Sequence, residues 1–296
     1  MQNIIIVTGG AGFIGSNLIE MLIKKTFYQI ISLDNYSTGS KKNHIINKRV
    51  TYLKGNTKNF NKIFFKKRHK IKTIFHFAEF SRIYQSFIHT KECLDSNILG
   101  SSKVIQFCLD NQIKIIYSAT SASLGKNQQD QHLSPYSYSK SFNMNLILNL
   151  HKWQELKYEI IYFYNVYGPK QIMKSPMSAV IGIFQDQYLN KKKLTVVQPG
   201  TQKRRFTHVT DTVNACYIAW KKNKNAHYAV VSKKSYCVKN IAKLFSNKIK
   251  YIPMREGERF NSVVINQIRG IKINILKSKI DIKDYIKNFK LFHQIN

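Results

Sequence analysis

Asn3-Ile4-Ile5-Ile6-Val7-Thr8-Gly9-Gly10-Ala11-Gly12-Phe13-Ile14-Gly15 is the stretch whose reading decides the fold. Its opening residues form a nearly continuous apolar run, the pattern of a strand buried on both faces. Glycines three apart follow at Gly9, Gly12 and Gly15, and a helical pattern then runs over 13–25. A lone glycine triplet is weak evidence; strand, glycine turn and helix in succession are the context the motif requires. The glycines permit a tight turn and let the backbone approach a pyrophosphate. That anion would sit at the helix N-terminus, where unpaired N–H groups and the helix dipole favour it. Gly9, Gly12, Phe13, Ile14 and Gly15 are therefore candidate dinucleotide contacts. Asp34, with Asn35 beside it, ends the second strand. A carboxylate there accepts hydrogen bonds from both ribose hydroxyls and repels a 2′-phosphate, so NAD is expected in preference to NADP.

Outward from this stretch, strand-like and helix-like segments alternate as far as about residue 165. Strands are expected at 3–8, 28–33, 50–54, 73–77, 113–118 and 158–164, with helices at 13–25, about 58–68, about 90–110 and 136–156. The alternation predicts an α/β fold, a doubly wound parallel sheet of the Rossmann type. Residues 1–166 are expected to form the dinucleotide-binding unit. Residues 167–296, where the pattern is less regular, are expected to form mainly a smaller substrate lobe, with part of about 204–222 returning to the first unit. No repeat and no Gly/Ser- or Pro-rich linker interrupts the chain.

Composition sets the outer bounds. The 296 residues are 43% hydrophobic, enough for a sizeable core. No apolar run reaches the roughly 18 residues of a membrane helix. The N-terminus reads directly as a strand, so neither signal peptide nor membrane attachment is expected. Cys93, Cys108, Cys216 and Cys237 form no close pair and no cluster with zinc-site spacing, which points to reduced structural thiols, a cytoplasmic location and no metal. The net charge of +33 would draw anions. The lysines are spread evenly, however, within a chain also rich in Asn, Ile, Phe and Tyr. That bias suits an AT-rich genome, and a nucleic-acid partner is not expected.

Tyr136-Ser137-Tyr138-Ser139-Lys140 opens the long helix. Residues four apart share a helix face, so the Tyr136 phenol and the Lys140 ammonium are directed alike. A phenol is a poor base at neutral pH, and a nearby cation stabilises the phenolate. Tyr138 has no lysine four residues on. The preceding loop reads Ser118-Ala119-Thr120-Ser121-Ala122-Ser123-Leu124-Gly125.

These motifs together resemble the extended short-chain dehydrogenase/reductase family, the NAD-dependent epimerase/dehydratase group that includes UDP-glucose 4-epimerase. The resemblance implies that Tyr136 and Lys140 are the acid/base pair and also touch the cofactor. It gives Thr120 as the hydroxyl that bonds the reacting substrate oxygen. His76-Phe77-Ala78 is similar to the family's His-x-Ala-Ala and adds Phe77 and Ala78 to the cofactor site. Asn97 resembles the bracing asparagine of that site. Asn56 stands where the family has an aspartate for the adenine amino group. Tyr164-Asn165-Val166-Tyr167-Gly168-Pro169 is similar to a turn bordering nicotinamide and substrate, with Tyr164 on the cofactor side and Asn165 on the substrate side. Arg204, in Lys203-Arg204-Arg205-Phe206, and Arg255, in Arg255-Glu256-Gly257-Glu258, resemble the two arginines that hold the diphosphate of a nucleotide sugar. Ser262 occupies a position bordering the sugar, where a small residue resembles enzymes that also accept N-acetylhexosamines.

Departures from the family pattern accompany these matches. Glu79 replaces a small residue beside the cofactor and is expected to crowd or repel its diphosphate. Arg205 replaces an acidic residue, and the stretch from Gly125 to Tyr136 is short. Dehydratases and decarboxylases of the family resemble Thr-Asp-Glu or Thr-Ser-Glu at the position of Thr120-Ser121-Ala122. Lacking that carboxylate, the chain is read as a nucleotide-sugar 4-epimerase, acting through a transient 4-keto sugar on a UDP-hexose or UDP-N-acetylhexosamine. The alternatives are a dehydratase, decarboxylase or reductase of the same family, or a non-catalytic NAD- or RNA-binding relative. A homodimer is expected, paired through an apolar row on helix 136–156 that includes Phe142, Leu146 and Leu150.

Overall fold

The protein is described by a computed structural model covering residues 3–124 and 130–294. Six strands, β1 (Ile4–Thr8), β2 (Gln29–Asp34), β3 (Val50–Lys54), β4 (Ile71–His76), β5 (Lys114–Thr120) and β6 (Tyr158–Phe163), lie parallel in the order β3-β2-β1-β4-β5-β6. The chain progresses outward in opposite directions from β1 and β4. Such a reversal opens a crevice at the carboxyl ends of the strands, the usual ligand site of an open α/β sheet. Registers align the strand ends there: Thr8 lies opposite both Leu33 and His76, and Thr120 lies opposite Phe163.

Side chains of β1 alternate between two cores. Ile4 and Ile6 pack with Ile74, Tyr117 and Ile147 on one side of the sheet. Ile5 and Val7 pack with Leu18, Ile19 and Val213 on the other. A strand clothed on both faces needs apolar residues at every position, which is why the opening run is continuous.

The sheet extends beyond the expected unit. Strand His227–Val231 pairs parallel with β6, Ile271–Lys277 pairs parallel with that strand, and Gln267–Ile268 closes the edge antiparallel. Helix Val209–Lys222 contributes Val213, Cys216 and Ala219 to the core of the first unit. Residues from the second half thus return to the sheet well past about 222. What remains apart is a lobe built on Phe184, Leu194, Phe206, Ile241, Phe245 and Ile286.

Two expected helices are broken. The segment near 58–68 is a short helix, Phe60–Phe64, between two 3₁₀ turns. Phe60 and Phe64 reach the core and Ile63 packs partly against it, and the charged residues that follow have no apolar stripe to dock. The segment near 90–110 consists of helix Thr90–Leu94, a wide π turn over Asp95–Gly100, and helix Ser101–Asp110. The long helix runs Pro135–Gln154, started by Ser134, whose hydroxyl accepts from the Ser137 amide. Among the described residues no helix is long and apolar enough to cross a membrane.

Candidate active site

The glycine turn sits at the reversal point. Gly9 has φ +71°, and a Cβ there would lie 2.9 Å from the Phe77 carbonyl. A Cβ on Gly15 would collide with the Gly9 carbonyl oxygen. Only glycine lets turn, helix and β4 approach this closely. Helix Phe13–Lys25 begins after Gly12 with no side-chain cap and no acidic residue in its first turn. Its leading N–H groups are therefore suited to an anion. Asp34 is buried at the end of β2, and its carboxylate accepts from the amides of Ala11 at 3.0 Å and Tyr36 at 2.8 Å. Burial pushes this carboxyl up, against the pull of those amides and of His44. Asn35 is exposed next to it and accepts from Ser37. These features fit a dinucleotide with a free 2′-hydroxyl.

Other expected cofactor residues divide into those at the crevice and those behind it. Phe77 and Ala78 lie against Gly9, their amides bonded to the Thr8 hydroxyl at 3.1 and 3.2 Å. Asn56 spends one lone pair of its amide oxygen capping the turn at Lys58. Asn97 is fully buried; its amide accepts from the Phe80 N–H at 2.6 Å and donates to the Phe80 carbonyl and to Ser139 at 3.0 Å. It braces the backbone next to Glu79 and has no surface left for a cofactor. Tyr164 is likewise wholly enclosed, its hydroxyl on the Val263 carbonyl at 3.2 Å. The expectation that Asn97 and Tyr164 contact the cofactor directly is corrected on this ground.

The candidate reactive groups lie where β5 meets the long helix. Thr120 ends β5 with its hydroxyl accepting from the Ala122 amide at 3.1 Å. Tyr136 packs with Ala122, Cys93, Phe80 and Ile83. Lys140 is 5% exposed and donates to the Ser118 carbonyl at 2.6 Å. It is also ion-paired with Glu79. The expectation for Glu79 is corrected here. Its carboxylate is directed away from the glycine turn and into a buried nest, where it accepts from Ser101 at 2.8 Å, Asn143 at 2.9 Å and Tyr117 at 3.1 Å. Gly125, five residues beyond Thr120, lies outside the described residues.

Of the expected diphosphate arginines, Arg204 is paired with an acid and Arg255 stacks on a ring. Arg204 bonds Glu258 at 2.5 Å, and the Arg255 guanidinium stands 5.1 Å from the Tyr84 ring centre. Burial raises the Glu258 carboxyl, opposed by the charges of Arg204 and Arg255. Arg205 is turned aside onto the carbonyls of Ser232 and Lys233. Asn165, with φ +33°, is exposed and bonds the Arg205 carbonyl at 3.1 Å. Ser262 is half-buried, and its hydroxyl finds no hydrogen-bond partner among the described residues. Arg259 ties this segment to Asp130, before the long helix, at 2.7 Å. Sequence reasoning missed Ser118, Ser101, Glu258 and Asp130. Asn143 was legible in principle, one turn beyond Lys140 on the same helix face.

A doubly wound sheet with a glycine turn at its reversal point, and a tyrosine–lysine helix across the crevice, defines a dinucleotide-dependent enzyme. The chain belongs to the NAD dependent epimerase/dehydratase family, whose model matches residues 5–231. It is 28% identical over 304 residues to a putative UDP-glucose 4-epimerase of Methanocaldococcus jannaschii, covering 96% of each chain. A UDP-N-acetylglucosamine 4-epimerase of Methanobrevibacter ruminantium, solved in complex with UDP-N-acetylmuramic acid, superposes with TM-score 0.83 at 25% identity, covering 100% of both. A dTDP-glucose 4,6-dehydratase of Streptomyces venezuelae, solved with NAD bound, gives TM-score 0.84 at 18% identity, covering 98% and 97%. The cofactor is NAD, and the family acts on nucleotide sugars.

Proposed function

We propose that the protein is a nucleotide-sugar 4-epimerase for a UDP-hexose or UDP-N-acetylhexosamine. Bound NAD supplies a hydride acceptor that also returns the hydride. Tyr136 takes the proton of the sugar 4-hydroxyl, and Thr120 hydrogen-bonds the same oxygen. The 4-keto sugar turns in the pocket, and Tyr136 restores the proton after hydride has returned to the other face. Lys140, paired with Glu79, stands on the cofactor side of Tyr136, while Arg204 and Arg255 hold the diphosphate as paired forks, with Glu258 giving way to it. Asp34 selects NAD over NADP.

One observation carries the choice of epimerisation. The residues after Thr120 are Ser121 and Ala122, and the carboxylate that Lys140 holds, Glu79, has a side chain only 2% exposed. Elimination of water needs a second proton carrier facing the sugar, and neither group can be one. Relatives described as 4-epimerases support the same reading. The unpartnered Ser262 hydroxyl suits the polar atoms of an acetamido group. The test is to incubate the purified protein with UDP-, GDP- and dTDP-sugars and follow products by NMR. A 4-epimer of a UDP-sugar is expected, and a 4-keto-6-deoxy or decarboxylated product would contradict the reading.

A further inference from the structure

Glu79 belongs to a buried network that runs from the glycine turn to Lys140. Thr8, last residue of β1, accepts from the amides of Phe77 and Ala78 and lies 2.8 Å from Nδ1 of His76. With its oxygen engaged by two donors, its proton goes to Nδ1. His76 Nε2 then donates to Ser101 at 2.8 Å, and Ser101 donates to Oε1 of Glu79 at 2.8 Å. Tyr117 and Asn143 donate to the same oxygen, and Lys140 to the other. Four donor groups with no competing acceptor suit a carboxylate anion.

The other ionisable groups around this pair carry no charge. Burial holds His76 down to about 4, so its ring is neutral. Burial pushes the Cys93 thiol up to about 11 and the Tyr117 phenol well above its ordinary value. The enclosed cluster therefore contains one cation and one anion, Lys140 and Glu79, 5% and 2% exposed. Beyond it, Arg82 lies on the Tyr136 side, its Nε bonded to the Met177 carbonyl at 2.6 Å.

We propose that Glu79 is a positioning residue that fixes Lys140 and cancels its charge, so that the crevice favours the cationic nicotinamide of NAD over the neutral dihydronicotinamide of NADH. An unpaired lysine cation would disfavour the oxidised ring by Coulomb repulsion, and a low-dielectric surrounding enlarges that effect. Glu79 supplies the opposite charge in direct contact and cannot swing away, because three further donors hold it. The inference rests on the reading of Lys140 as a cofactor-side residue. It does not depend on which sugar is turned over.

The test is the affinity of NAD, NADH and ADP-ribose, measured by calorimetry on wild type, Glu79→Gln, Lys140→Met and the double variant. ADP-ribose lacks the nicotinamide ring and reports structural damage together with any effect on the shared diphosphate and ribose. In Glu79→Gln the preference for NADH over NAD should rise by roughly tenfold or more, with ADP-ribose changed far less. The double variant, neutral again, should return towards the wild-type ratio. Lys140→Met leaves the anion alone and should move the ratio towards NAD, so it serves if Glu79→Gln cannot be purified. An unchanged NADH-to-NAD ratio in these single variants would overturn the proposal, as would equal weakening of all three ligands.

Discussion

Tyr136 and Lys140 leave one helix a turn apart, yet their side chains enter different surroundings. The tyrosine packs against Ala122 and Cys93, and the lysine is enclosed with Glu79 and Ser118. Tyr136→Phe removes the proposed proton carrier without touching the glycine turn. Turnover should fall by at least about two orders of magnitude, the usual scale for a lost general acid/base, while calorimetry still shows NAD binding. Normal turnover would remove Tyr136 from the role. Ser262 tests specificity by bulk alone. Ser262→Tyr should abolish turnover of UDP-N-acetylglucosamine and spare UDP-glucose, because steric exclusion falls on the larger sugar. Equal loss of both activities, or wild type ignoring the acetamido sugar, would show that Ser262 does not border it. Thr120, Tyr136 and Lys140 could be singled out as candidates because their pattern is local. The destination of Glu79 was not, since its partners Ser101, Tyr117, Lys140 and Asn143 lie on three other elements and only packing unites them.

Among the elements, the β1–turn–helix unit was read to within a residue, expected at 3–8 and 13–25 and found at Ile4–Thr8 and Phe13–Lys25, because Gly9, Gly12 and Gly15 answer steric demands made by neighbours in sequence or just past β4. The π turn at Asp95–Gly100 was not legible. It aims Asn97 at the Phe80 backbone, and it depends on Gly100 fitting against Thr57, a contact with no local signal. The row on the long helix also needs revision. Met144, Ile147 and Leu148 face the protein's own core, and Leu146 and Leu150 pack partly against it. Phe142 at 41% exposure, with Tyr138 at 50% and Trp153 at 68%, remains on the outer face. We propose that this face pairs with its counterpart in a second copy. Light scattering at micromolar concentration should give twice the mass of the 34.6 kDa chain, and Phe142→Lys should lower it. A monomeric wild type would refute the pairing.

At the level of the whole molecule, the sheet order follows from the alternation of strands and helices, but its width does not. Strands His227–Val231 and Ile271–Lys277 come from a region whose pattern is irregular because segments of the small lobe separate them. Two histidines make the fold sensitive to acid. His76 and His227 are enclosed, and burial holds both down to about 4. Their folded values lie below the unfolded value, so the unfolded chain takes up the proton first. The contribution of the two neutral histidines is full above about pH 6.5 and is lost as pH falls towards 4, by up to roughly 3 kcal/mol per histidine. Urea unfolding at pH 7, 6 and 5 should show this fall, and His227→Gln should flatten it by nearly one proton. A flat wild-type profile would contradict the assignment.

The central claim is that hydride leaves and returns to the same carbon. UDP-glucose carrying deuterium at C4 distinguishes this directly, because elimination of water between C5 and C6 would send the returning hydride to C6 instead. The protein should convert the labelled sugar to UDP-galactose with deuterium kept at C4, in water and without added reductant. Deuterium at C6 of a product that has lost water would contradict the account.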